Sequence, residues 1–332
     1  MSVLRAAALV PAAVIAVGLL AWSAAAVWID GPSSRAVAGA MVIGLVAGAG
    51  VIAVRVRPAG RALMAILVPF GIVLVWWLSI APRNDRDWQP DVARPATMAV
   101  DGDRLTVHNY RDFEYRGETD FTPRWETRTF DLADVRGVDL FFSFWGPTLI
   151  AHTIASWEFA DGRHLAISIE TRKEVGESYS ALRGFFRQYE LYYVVADERD
   201  VIGLRAAHRG EQVFLYRIGM PPEKARALLI SYARRVDGLA EQPDWYNAFT
   251  HNCTTTIRLH VEDIGTRNPW NWRLLVNGRG DELLYMRHFV NTTMPHDELR
   301  RRSDVTERAR ATAGDPAFSR RIREGLPTRP AA

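Results

Sequence analysis

Three apolar runs, residues 6–29, 36–54 and 62–80, constrain this chain more than any other feature of its sequence. Each is about 19 residues or longer, and a helix rising about 1.5 Å per residue then covers the roughly 30 Å of a bilayer's hydrocarbon. Residues 1–82 are therefore expected to form a three-helix transmembrane anchor. Pro11, Pro69 and several glycines are tolerable there, because neighbouring helices in lipid satisfy the freed backbone groups. The first run also has the outline of a cleaved signal peptide, with Arg5 ahead of it and small residues around 23–26. Two further spans follow at once and Trp28 reads as an interfacial anchor, which favours a retained helix.

Charge sets the orientation. Arg55, Arg57 and Arg61 crowd the link between the second and third runs, whereas the link before it holds only Asp30 and Arg35. By the positive-inside rule the triple-arginine loop is cytoplasmic, so the N-terminus is cytoplasmic and everything after Ile80 is external. The expected location is the bacterial inner membrane, multi-pass, with the soluble part in the periplasm. Beyond residue 82 the remaining 36 basic and 37 acidic residues nearly cancel. The net positive charge thus belongs to the membrane segment, and the domain carries no nucleic-acid footprint. The single cysteine, Cys253, excludes an intramolecular disulfide and a zinc site of several thiolates. No metal and no cofactor is expected.

The soluble part begins with a polar, proline-bearing exit at 85–99. Segments 103–109, 127–132 and 137–144 are rich in strand formers, and residues 110–125 between the first two mix aromatics with Arg111, Arg116 and Arg124, as a lid or rim would. A hairpin is expected over 152–172 with Asp161-Gly162 at its turn, and further strands at 191–196 and 212–218. After Pro221-Pro222 the spacing of Ala225, Leu228, Leu229 and Tyr232 predicts a helix to Val236, and another is expected over 253–264, stopped by Gly265. Strands first and helices later give an α+β domain over 83–296. The charged tail, 297–332, reads as a helical but solvated or loose end, contact with anionic lipid being the alternative.

Asn252-Cys253-Thr254 is the stretch that carries chemistry. Asn252 is a good N-cap, which puts Cys253 at the first helical position, where unpaired N–H groups and the helix dipole favour a thiolate. The same region, with Asn252 and Thr254, could hold an oxyanion. A lone cysteine is otherwise most often a small buried apolar residue. A base is needed, and His152, opening a strand, is a candidate against the plainer reading of a buried core histidine. His251 is tied to the cap, and His260 lies two turns along the helix from Cys253. On the return strand His164, Ala166, Ser168 and Glu170 share one face. A three-residue hairpin loop puts that face on the side of His152, a two-residue loop on the other. In the first case Glu170 could orient the imidazole, Ser168 or His164 more weakly; a surface pairing of Glu170 with Arg172 is the alternative.

From about residue 84 to 302 the chain resembles the Lnb-type periplasmic domain family of bacterial lipoprotein N-acyltransferases. The resemblance is carried by residues 84–88 (NDRDW), 150–153 (IAHT), 166–172 (AISIETR), 186–190 (FRQYE), 195–199 (VADER) and 252–255 (NCTT). It implies a permuted papain-like (NlpC-like) fold in which the histidine strand precedes the cysteine helix, an order shared by lecithin:retinol acyltransferase-like enzymes. It also implies Cys253 as nucleophile and His152 as base, leaving the third residue open. Lnb-type enzymes carry membrane helices after the periplasmic domain, whereas here they come before it. The reading that results is a membrane-anchored thiol acyltransferase that moves an acyl group from inner-membrane phospholipid to an amine, with a lipoprotein N-terminus as leading acceptor. The alternatives are a cysteine hydrolase of the cell envelope and a non-catalytic envelope module.

Overall fold

The computed structural model describes residues 3–56, 58–146 and 148–331. Arg57 of the triple-arginine loop lies outside them. The chain divides into two compact units, Met1–Arg83 with Tyr179–Tyr189 and Asn84–Ser178 with Glu190–Ala332.

The first unit is built on α1 (Val3–Asp30), α2 (Arg35–Arg55) and α3 (Ala59–Ser79). All three are long and apolar enough to cross a membrane. Ser34 caps α2 by accepting from the Val37 N–H, and Val10, Ile43 and Val75 are among the many aliphatics left facing outward, as in a lipid-solvated helix. Trp22 packs edge-on against Phe70 and Trp77, and the Trp77 indole N–H donates to Asp30 at 2.7 Å. That bond joins the C-terminal ends of α1 and α3, so the two helices run the same way. The segment 179–189 belongs to this unit: Phe186 packs on Ala26, Val27 and Val73, and the Gln188 amide donates to Asp30 at 2.7 Å.

In the second unit ten strands are present among the described residues: β1 (Thr97–Asp101), β2 (Arg104–Arg111), β3 (Glu114–Tyr115), β4 (Phe121–Thr122), β5 (Trp125–Asp131), β6 (Val135–Phe144), β7 (His152–Phe159), β8 (His164–Arg172), β9 (Glu190–Ala196) and β10 (Gln212–Arg217). Eight form one sheet in the order β1-β2-β9-β8-β7-β6-β10, with β5 also on β2; β3 and β4 make a separate hairpin. The central strands are buried on both faces and read as nearly unbroken apolar runs such as Leu191–Ala196. The helices are α4 (Glu198–Gly203), α5 (Pro222–Glu241), α6 (Cys253–Asp263), α7 (Gly280–Met286), α8 (His296–Ser303), α9 (Thr306–Ala311) and α10 (Phe318–Ile322). Helix α5 lays Ala225, Leu228, Leu229 and Tyr232 inward, and the Trp157 indole donates to its Ala225 carbonyl at 2.9 Å. This is a mixed α/β domain with a large sheet, behind three apolar helices.

Two expectations change. The stretch 110–125 is anchored at its base rather than free to act as a lid. Arg111 is buried on Asp200 at 2.6 Å, and buried Asp112 takes bonds from Arg124, Arg128 and Arg199. The tail is not solvated or loose. Phe318 and Ile322 enter the core beside Val201, Ile202 and Phe141. Arg323 reaches Glu198 at 2.6 Å and Asp139 at 2.9 Å, and Arg329 reaches Glu158 at 2.7 Å. An arginine-rich segment looks like surface in sequence, but here each of these guanidiniums meets a carboxylate at least partly hidden from water.

Candidate active site

The hairpin β7–β8 decides which side chains can meet. Ile154 pairs with Ser168 and Glu158 with His164, and Phe159 donates to the Arg163 carbonyl. The loop is therefore three residues, 160–162, with Gly162 at φ 82°, a left-handed turn that glycine takes without strain. This register puts Ser168 and Glu170 on the face of His152. The ring Nε2 of His152 lies 2.7 Å from Ser168 Oγ and 3.1 Å from Glu170 Oε1, and Ser168 also donates to Glu170 at 2.7 Å. His164 sits at the far end of β8, its Nδ1 by the Gly162 carbonyl, and does not join the group.

Cys253 opens α6 as expected. Asn252 Oδ1 accepts from the N–H groups of Thr254 (3.0 Å) and Thr255 (2.9 Å), and Thr255 Oγ1 accepts from the Asn252 N–H, which completes a capping box. The Thr254 N–H, which sequence reasoning offered to an oxyanion, is thus engaged by the cap. Cys253 is 7% exposed, its sulfur lies 3.8 Å from both Thr254 Oγ1 and Asn277 Nδ2, and the His152 ring and the Thr153 N–H are the neighbours that favour its charged form.

Burial disfavours charge at this centre, yet the charged partners outweigh it. For His152 the desolvation is opposed mainly by the Glu170 carboxylate, against a smaller contrary effect of Arg205, and the pKa is pushed up to about 9. For Cys253 burial alone would raise the thiol; the hydrogen bond and charge of His152, with the Thr153 N–H, bring it below its ordinary value. Glu170 is partly buried, and desolvation would raise it, but His152 and Arg205 hold it well below the usual carboxylate range. These directions favour the charged forms of all three groups, the thiolate, the imidazolium and the carboxylate.

Two residues at the site had no sequence signal. Arg205 comes from a single π turn at Leu204–His208, and donates to Glu170 at 2.6 Å. Such a turn, in which Arg209 N–H reaches back to Leu204 O, carries no local motif. Asn277 binds the other side. Its Nδ2 donates to the Ala151 carbonyl (2.6 Å) and Thr254 Oγ1 (2.8 Å) and lies 3.8 Å from Cys253 Sγ, while its Oδ1 accepts from the Ala151 N–H (2.9 Å). The next residue, Gly278, donates to Leu149 O, and a Cβ there would lie 2.0 Å from Thr148 O, so only glycine allows this approach. His251 stays on the cap, Nδ1 by Thr250 Oγ1 at 2.9 Å. His260 is buried between Tyr193 Oη (2.8 Å) and Ser231 Oγ (2.9 Å), and burial brings its pKa down to about 4. The Tyr232 hydroxyl, buried against the His260 ring, has no hydrogen-bond partner among the described residues.

Residues 121–278 match the family described as the Lnb N-terminal periplasmic domain. This segment belongs to that family. The Lnb segment contains every residue just described, from His152 to Asn277. Neither a curated protein nor a solved structure matches the chain. With three helices fit to cross a membrane and an Lnb periplasmic domain, this is a membrane protein with a periplasmic domain.

Proposed function

We propose that the chain is a periplasmic thiol acyltransferase anchored in the bacterial inner membrane, acting on phospholipid. The observation that carries this reading is the unbroken line Cys253–His152–Glu170–Arg205, which ends in a largely buried sulfur at a capped helix start. Cys253 thiolate attacks the ester carbonyl of a phospholipid. The carbon–oxygen bond to glycerol breaks, and protonated His152 gives its proton to the leaving alcohol. The acyl group is held as a thioester. An amine then attacks, neutral His152 takes its proton, the carbon–sulfur bond breaks, and the amide departs with thiolate and imidazolium restored. Glu170 and Ser168 keep the ring in place, and Arg205 keeps Glu170 ionised. The α-amino group of a diacylated lipoprotein is the leading acceptor. The histidine strand preceding the cysteine helix fits a permuted papain-like domain. Arg55 at the end of α2 and Arg61 in the first turn of α3 support a cytoplasmic link there and an external domain.

Full-length protein in phospholipid micelles carrying isotopically labelled acyl chains tests this. A hydroxylamine-labile label on the wild type, absent from Cys253→Ala and transferred to a lipopeptide amine, is the expected result. Release of labelled fatty acid alone would make the protein a hydrolase. No label on the wild type would remove the reading. In cells, unchanged lipoprotein N-termini in a deletion strain would exclude lipoproteins as the acceptor.

A further inference from the structure

Large apolar side chains exposed on the domain are not scattered. Among its described residues, all but Val100 and Val175 fall in 145–150 or 249–286. Isolated exposed hydrophobes need no explanation, but a contiguous set marks a surface that is covered in use. Six of them, Trp145, Leu149, Ile150, Phe249, Trp270 and Trp272, are each 43% to 62% exposed. They lie on three loops that converge on the sulfur. The first loop runs into His152, the second into Cys253, and the third into Asn277. Asn277 ties them together by its bonds to Ala151 and Thr254, and Gly278 by its bond to Leu149.

We propose that these loops form a lip that inserts into the surface of a phospholipid bilayer and opens Cys253 to lipid, an inference that deepens the proposed function. Three features commit the lip to a bilayer rather than to a protein. The chain carries its own spans, so the domain works in the water layer beside a membrane. Three of those six are tryptophan, the side chain that prefers the boundary of hydrocarbon and headgroups. Two guanidiniums lie over the Trp272 ring, Arg273 at 4.6 Å and Arg279 at 5.9 Å. That pairing of indole with cation matches the phosphate level of a bilayer, and the aliphatic side chains of Leu149 and Ile150 suit its hydrocarbon.

The test places single cysteines in full-length Cys253→Ser protein: Ile150→Cys and Trp270→Cys on the lip, and Val100→Cys as an exposed control elsewhere. Each variant is nitroxide-labelled and reconstituted into phosphatidylethanolamine–phosphatidylglycerol vesicles. Collision of the label with oxygen is then compared with collision with a water-soluble nickel complex. The expected result is an oxygen-to-nickel ratio several-fold higher at 150 and 270 than at 100. Equal ratios at all three sites would overturn the proposal. Protection of 150 and 270 from both agents would assign the lip to a protein contact, and would overturn it as well. The readout needs no catalysis, so its failure leaves acyl transfer by Cys253 untouched, and loss of acyl transfer leaves the lip untouched.

Discussion

Asn277 brackets the candidate site: one amide holds the backbone just before His152, the hydroxyl just after Cys253, and the approach to the sulfur itself. Removing it frees the loop that positions the imidazole. Glu170 acts on the same pair through charge. Its carboxylate raises His152 to about 9, so the imidazolium is present at neutral pH and is lost as pH rises through that value. In Glu170→Gln the ring returns toward its ordinary value, becomes neutral earlier, and no longer stabilises the thiolate. Both Asn277→Ala and Glu170→Gln should shift the midpoint of iodoacetamide alkylation of Cys253 to higher pH and slow the reaction at pH 7. Unchanged profiles would mean that the sulfur is activated by its helix alone.

At the scale of elements, the start of α6 and the β7–β8 hairpin do different work. The capping box on Asn252 fixes where the helix begins and hence that Cys253 stands at its first turn. Asn252→Ala should cost about 1 kcal/mol of stability, the usual loss for such a cap, measured as a lower urea midpoint. The hairpin sets the partner. Its strands were legible from alternation and its turn from Asp161-Gly162, but one residue more or less in the loop reverses the face of Glu170. Sequence left that open; the 160–162 loop closes it. The π turn that delivers Arg205 was illegible, since its five residues carry no periodic pattern long enough to read.

For the whole molecule, the C-terminal tail completes the fold. Phe318 and Ile322 are buried, each contributing roughly 1.5–3 kcal/mol by area. Arg323 neutralises Glu198, which is held at about 2 against the desolvation of a fully buried carboxylate. A carboxylate lowered in this way stabilises the fold above its unfolded value near 4.5, and that stability is lost as pH falls toward 2. By linkage the loss from Glu198 is about 3 kcal/mol. Stability of the full chain should therefore drop over that window. Truncation after Gly314 should abolish cooperative unfolding of the domain at any pH, because core side chains and buried counter-ions leave together. A truncated chain with the wild-type midpoint would show the tail to be dispensable.

Composition alone determined the three spans, because a bilayer accepts few charges and demands a set length, and local pattern determined most strands, helix α5 and the capped cysteine. These rest on interactions within about one helical turn or one hairpin. What only the tertiary structure decided is the company those residues keep: His152 with Glu170 and Arg205, Asn277 with Cys253, Arg323 with Glu198. Such pairs join positions far apart in the chain. A single sequence shows a charge or an amide at each position but not the partner that folding brings to it.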